Sequence, residues 1–398
     1  MLDFIVSKKD CTGCGACYSS CPVKCITMNE DAEGFLYPVA SDACINCGLC
    51  KKVCPIQSPI KIESDILQKA IGFCTSDYRI WKNSSSGGAF TEIVKYWADS
   101  KTVVFGAAWD DDMSVHHIEV SSNSLNPIRK SKYISSSTES TFLKTREYLK
   151  QGKKVIYSGC PCQIAGLKSF LRKDYDNLLT VDLICHGQGS KYVFAECLKD
   201  TESLIGANVL EYEFRSKRKV FETEYLSKVS TGEKDFYLFS ERYTQLFLSL
   251  KCVRPSCGSN CIFHNKVRPG DITLADLKCA DNINPSLVGS KYNYSAIIAN
   301  SSKGKKIIDF LCGLDSSFCI DIDTIIRTNP NFGVRRNNTI ESRDAFFKAF
   351  IANPYATIIS NTTPTVIYRR SLLWRIYDSF PQLLRRIIIK FYRKFIRS

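Results

Sequence analysis

Behind its first seventy residues the chain alternates short runs of β-branched and aromatic residues with helical stretches, a pattern that predicts an α/β domain. Val103-Val104-Phe105-Gly106-Ala107 and Lys154-Val155-Ile156-Tyr157 read as strands. A Ser-Gly-Cys-Pro-Cys turn and a helical run, Gln163–Leu171, follow the second. Leu178–Ile184 is a further strand closing on Cys185-His186-Gly187, and 271–276 and Tyr294–Ala299 read as two more. Ala89–Trp97 is an amphipathic helix behind a Ser/Gly loop. Near the end, Leu383, Leu384, Ile387, Ile388, Phe391 and Phe395 share one helical face, with Arg386, Lys390, Arg393 and Arg397 on another. Four parts follow: residues 1–57, a polar linker 58–70 opened by Gln57-Ser58-Pro59, an α/β body 71–360, and a basic amphipathic tail 361–398.

The first part takes its character from cysteine. Cys11, Cys14, Cys17 and Cys21-Pro22, then Cys44, Cys47, Cys50 and Cys54-Pro55, repeat C-x2-C-x2-C-x3-C-P. This is the spacing of a bacterial two-cluster 4Fe–4S ferredoxin, in which the fourth ligand of each motif serves the other cluster. Cys11, Cys14, Cys17 and Cys54 are therefore assigned to a first cluster, and Cys44, Cys47, Cys50 and Cys21 to a second. A zinc site or a disulfide framework does not produce this interleaved repeat. Cys25 falls outside it and reads as a small buried residue or a spare thiol.

At 398 residues and 44% apolar composition, the chain is too long for a ferredoxin alone and can bury a large core. Its twenty cysteines read as reduced ligands and core thiols in the cytoplasm, because Met1–Asp10 lacks an apolar leader core and no stretch has transmembrane length. The net charge is +14, yet nine Lys/Arg and only Asp378 as an acid lie between Arg369 and Ser398. The tail thus accounts for most of the charge, which argues against a nucleic-acid-binding body.

Four cysteines in the body stand where ligands gather. Cys162 and Cys185 follow the carboxyl ends of two strands, where open α/β sheets bind their ligands. Cys257 and Cys261 share a turn-rich segment. Together they would make a third four-thiolate site; the alternative is four ordinary core cysteines. Ser85, Ser86, Gly87 and Gly88 open a helix and can offer N–H groups to an anion such as a flavin's pyrophosphate, although such loops are more often plain helix caps. Ser131, Lys132 and Tyr133 would add a cation and a ring. A radical-SAM site fails, because Cys261 is followed by Ile262-Phe263-His264 and not by the required cysteine spacing.

These residues carry a resemblance. Ser85-Ser86-Gly87-Gly88, Ser131-Lys132-Tyr133, Gly159-Cys160-Pro161-Cys162-Gln163, Asp182-Leu183-Ile184-Cys185-His186-Gly187, Arg254-Pro255-Ser256-Cys257 and the 271–276 strand resemble, in order, the coenzyme F420 hydrogenase/dehydrogenase beta-subunit family, over about residues 70–350. The resemblance implies an FAD-binding domain with an additional 4Fe–4S cluster on Cys162, Cys185, Cys257 and Cys261. Family members exchange electrons among clusters, flavin and a substrate, which is a deazaflavin coenzyme in some members and a tetrapyrrole in others. This chain departs from the family in three places. Cys257 and Cys261 are spaced C-x3-C instead of C-x2-C, which opens the choice of Cys252 as a ligand. Cys160 stands where many relatives carry Thr, and Leu277-Lys278-Cys279 stands where Trp-Gly is frequent.

The expected function is an iron–sulfur flavoprotein oxidoreductase fed by ferredoxin or another oxidoreductase subunit. The alternative is a non-catalytic electron-transfer subunit of a larger complex. His186 and His264 are candidate proton donors, with packing roles as the plainer alternative; His116 and His117 read as surface or strand residues. The tail, with Trp374 and Tyr392, has the composition of a helix lying on an anionic membrane surface, or else one docked on its own domain. A surface-bound reductase would suit a lipid-linked sugar precursor, and similar bacterial proteins often accompany polysaccharide biosynthesis.

Overall fold

The computed structural model describes residues 5–61, 68–217, 219–220, 224–258, 261–278, 280–287, 292–314, 317–329 and 340–368. The basic tail, with Leu383 through Arg397, lies outside the described residues, as does Cys279. Among the described residues no helix is long and apolar enough to cross a membrane.

A mixed eight-stranded sheet forms the centre, ordered Ser317–Cys319, Lys69–Phe73, Tyr294–Ala299, Ile272–Leu277, Leu178–Leu183, Val155–Gly159, Val103–Trp109 and Val115–Ser121. The four strands from Ile272–Leu277 to Val103–Trp109 are mutually parallel, and the pairings outside them on both sides are antiparallel. Val104, Val155, Ile156, Tyr157, Leu179, Val181, Ile272, Ile297 and Ile298 are fully buried, consistent with parallel strands covered on both faces. Helices Ala89–Trp97, Pro161–Leu171 and Ser302–Cys312 lie over it. All five strands expected from the pattern are present, and the helix expected at Gln163 begins at Pro161, whose missing N–H suits a first helical turn. A second, antiparallel sheet of Val366–Ile367, Asp235–Phe239, Ser227–Ser230 and Glu211–Glu213 is not apparent in the sequence pattern; its strands are short and half polar.

The cysteine-rich front is a hairpin, Ile26–Glu30 with Leu36–Ala40, and two short helices, Ala16–Ser20 and Leu49–Lys52. It shares its core with the body. Phe35 and Tyr37 pack in one apolar cluster with Val193, Phe194, Phe346 and Phe347, while Cys14, Ala16 and Val53 join Phe142, Ile164 and Leu167 in another. Ser190 Oγ donates to Glu33 O at 2.5 Å, and Arg343 pairs with Glu33.

A buried ion pair holds the carboxyl end of the central strands. Asp182 accepts from Arg268 Nη2 at 3.0 Å, Thr273 Oγ1 at 2.7 Å and Gly270 N at 2.9 Å. Arg268 also donates to Leu183 O and Phe263 O, so the pair ties the strand before Cys185 to the segment after Cys261. Removing one partner of such a pair leaves a buried charge uncompensated. Asp182→Ala is expected to cost about 3–5 kcal/mol, read as a lowered denaturant midpoint under anaerobic conditions.

Candidate iron–sulfur and cofactor site

The first thiol set is gathered by its loop. Gly13 and Gly15 both take positive φ, +66° and +80°, which turns the chain between successive cysteines. Cys11, Cys14 and Cys54 are buried and Cys17 half-buried, and the four lie within one another's electrostatic reach. Burial pushes the Cys14 thiol up to about 12. A thiol in such surroundings is no free nucleophile; it ionises when a metal supplies the positive charge. Gly166 on the helix Pro161–Leu171 lets Cys14 approach, since a Cβ there would stand 2.8 Å from Cys14 Sγ.

The second set is more open. Cys47 is exposed, Cys21, Cys44 and Cys50 are half-buried, and Ile45 beside them is 61% exposed. Cys50 senses Cys47 and Cys44, and Cys25 lies against both Cys21, at 3.4 Å between sulfurs, and Cys44. Cys25 is thus buried, as expected, but it also stands at the edge of this set.

The third set lines a small cavity beyond the sheet's carboxyl edge, with Cys162, Cys185, Cys257 and Cys261 around it and Gln188, His264 and Thr12 among the other wall residues. Burial and mutual repulsion hold the Cys162 thiol well above its ordinary value, Cys257 at about 12 and Cys261 at about 11. Cys160 touches Cys185 at 3.7 Å between sulfurs from the rim. Cys252 is elsewhere, buried near Glu241, Tyr243 and Cys197, so the structure brings the C-x3-C pair to the cavity and not Cys252. Among the described residues no three His, Cys, Asp or Glu close around one point tightly enough for a single metal ion, as a four-donor zinc site with bonds of about 2.3 Å would require.

Two residues to which the sequence assigned no role join these sets. Gln188 Nε2 donates to Thr12 O and to Cys162 Sγ, both at 3.1 Å, and its backbone N–H reaches Cys257 Sγ at 3.3 Å. Arg254 Nε donates to Cys11 O at 2.7 Å, and Ser256 Oγ to the same oxygen at 3.1 Å. The available signal was position: Gln188 lies three residues after Cys185, and Arg254 three before Cys257.

The two polar loops expected to face a flavin meet each other. Ser131 donates from both N and Oγ to Ser85 Oγ, at 2.8 and 2.9 Å. Lys217 Nζ donates to Ser86 O at 2.6 Å and lies over the Trp81 ring. Trp81 Nε1 and Arg129 Nε are buried without an acceptor among the described residues, so the neighbourhood has donors to offer an anion. Gly87 has a packing role: its N–H goes to Ser295 Oγ, and a Cβ would meet Phe73 O at 2.2 Å. Gly88, at φ +86°, caps the helix. Lys132 turns inward onto Pro127 O and Arg129 O, with burial lowering it to about 7. Tyr133 stacks on Phe247. His186 Nε2 meets Phe247 O at 3.0 Å, and His264 is buried at the cavity. His116 and His117 lie on a strand, but His117 is buried between Ser136 and Ser158 O and lowered to about 4 by that burial.

Residues 10–58 match the family model of the 4Fe-4S dicluster domain, and residues 152–312 match that of the C terminus of the coenzyme F420 hydrogenase/dehydrogenase beta subunit. Behind a 4Fe–4S dicluster domain the chain thus carries a segment similar to the C terminus of this beta subunit. Among solved structures, a chain titled as the xenon-derivatised F420-reducing [NiFe] hydrogenase complex from Methanosarcina barkeri is 15% identical, with 76% of this chain and 94% of that one covered and a TM-score of 0.43. That likeness says nothing of what this chain acts on. No curated protein matches it. The two matches support an iron–sulfur redox protein whose role is electron transfer.

The two ferredoxin-type sets differ in exposure, so they differ in vulnerability. Mild oxidation of the anaerobic protein is expected to destroy the second cluster's EPR signal several-fold faster than the first's. Equal rates would mean that Cys47 is not the weak point.

Proposed function

We propose that this chain takes single electrons from an external carrier at its second ferredoxin-type cluster and passes them through the first cluster to a third four-thiolate cluster. That third cluster would be held by Cys162, Cys185, Cys257 and Cys261, and would exchange electrons with FAD for two-electron reduction or oxidation of an organic substrate. The observation that carries the reading is the contact from Thr12 O through Gln188 to the sulfurs of Cys162 and Cys257. When bound, clusters carry electrons singly and a flavin carries them in pairs, so one chain can join a one-electron carrier to a two-electron reaction.

The residues divide the work. The exposed loop around Ile45 and Cys47 receives the carrier. Arg254 and Ser256 hold the Cys11 turn, which keeps the first set at a constant distance from the third. Gln188 directs two N–H groups at sulfur, an arrangement that favours the reduced state of a cluster. Ser85, Ser131 and Lys217 would bind the flavin's anionic side, with Arg129 and Trp81 as further donors. His264 is the residue to hold a proton near the third set. A deazaflavin coenzyme is the first substrate to try, on family likeness, and a lipid-linked sugar precursor the second.

The reading predicts about twelve irons, in three cubanes, and one FAD per chain after anaerobic purification. Cys185→Ser is expected to remove about four of those irons and leave both ferredoxin EPR signals in place. A wild-type protein with about eight irons and no flavin would sink the proposal.

A further inference from the structure

Arg254 is the most unusual charge in the molecule. Its side chain is 1% exposed, and a guanidinium keeps its proton even when buried. Nε donates to Cys11 O, and Nη2 donates to Leu36 O at 2.7 Å and to Cys11 Sγ at 3.7 Å. The plane lies 4.2 Å over the centre of the Tyr37 ring. The other well-buried arginines pair with carboxylates: Arg215 with Asp276, Arg242 with Asp200, Arg268 with Asp182, and Arg343 with Glu33 and Asp344. Among the described residues no carboxylate pairs with Arg254. The acids nearest its Tyr37 shelf, Asp31 and Glu33, are engaged by Lys8 and Arg343.

A buried, unneutralised cation is costly, so its balancing charge has to come from what it faces. It faces the first thiol set. A cubane with four thiolate ligands is an anion in either oxidation state and gains one more negative charge when an external carrier delivers an electron. The room for Arg254 is built in. A Cβ on Gly13 would stand 2.6 Å from Nη1, and Gly13 also needs its φ of +66°. Among the described residues the second set has no such buried partner; Lys24, Lys51 and Lys52 near it are exposed and act through solvent and salt.

We propose that Arg254 is the fixed counter-charge of the first ferredoxin-type cluster, raising that cluster's reduction potential above the second's and so drawing electrons inward from the surface. The proposal rests on the dicluster domain alone and stands whether or not a third cluster or a flavin is present. A unit charge this close, in surroundings of low effective dielectric, is worth at least a tenfold change in a one-electron equilibrium.

The test is a potentiometric EPR titration of the full-length protein, prepared anaerobically, with the second cluster's signal assigned through Cys47→Ser and used as internal reference. Arg254→Gln is expected to lower the first cluster's reduction equilibrium at least tenfold, a fall of about 59 mV or more, while the second cluster stays where it was. Arg254→Lys, which keeps the charge without the fork, is expected to hold the first cluster's potential closer to wild type than Gln does. An unshifted first cluster in Arg254→Gln at full iron content overturns the proposal. Where Gln loses the first cluster outright, Lys decides: retained iron supports the counter-charge, and loss in both variants assigns Arg254 a purely structural role and overturns it. Iron and flavin counts on the wild-type protein judge the wider electron path separately.

Discussion

The structure depends on how one turn of chain, Cys11 to Gly13, is held by residues far away in sequence. Its carbonyl oxygens are gripped by Arg254, Ser256 and Gln188, and its sulfur is touched by Arg254. Those three come from the segments that carry Cys185 and Cys257. The same side chains therefore fix the first thiol set and the third cavity against each other, and neither can shift alone. Electron transfer falls off steeply with distance, so a rigid spacing between redox centres is what such a protein has to build. Hydrogen bonds to backbone oxygens build it without using up a cluster ligand.

Exposure then orders the parts. The second set opens to solvent through Cys47, the first is buried through Cys11 and Cys14, and the third cavity lies on the far side of Thr12. The shared apolar cores, Phe35 and Tyr37 with Phe346 and Phe347 on one side and Cys14 with Ile164 and Leu167 on the other, exclude water along the way. The ferredoxin-type front is thus wedged into the body instead of hanging from it, which its polar linker in sequence did not suggest.

The parts that were legible in sequence are those whose cause is local. Strands such as Leu178–Leu183 announce themselves as β-branched runs, and the doubled cysteine motif announces its clusters by spacing. The placing of Cys162 and Cys185 at strand ends was also readable, because a parallel sheet puts its ligands there. The packing role of Gly87 was not legible, for the opposite reason. Its requirement is the close approach of Phe73 O, a strand neighbour unknown until the sheet is assembled. His117 looked like any strand residue, and only the packing of Ser136 and Tyr157 around it shows that it is interior. Gln188 and Arg254 were invisible as functional residues, since a buried glutamine and an arginine declare their partners only in three dimensions.

The departures from the family pattern have a structural answer at one point and leave a chemical question at another. The longer C-x3-C spacing still brings Cys257 and Cys261 to the same cavity, and Cys252 is committed to a separate cluster with Cys197 and Tyr243. The extra residue is therefore absorbed in the loop and not in the choice of thiols. Cys160 is different, because it adds a sulfur at 3.7 Å from Cys185. Its contact with Cys185 and its burial hold it well above the ordinary thiol value, and its sulfur accepts from Cys185 Sγ. The departure thus sets a fifth sulfur against the four that line the cavity, bonded to Cys185.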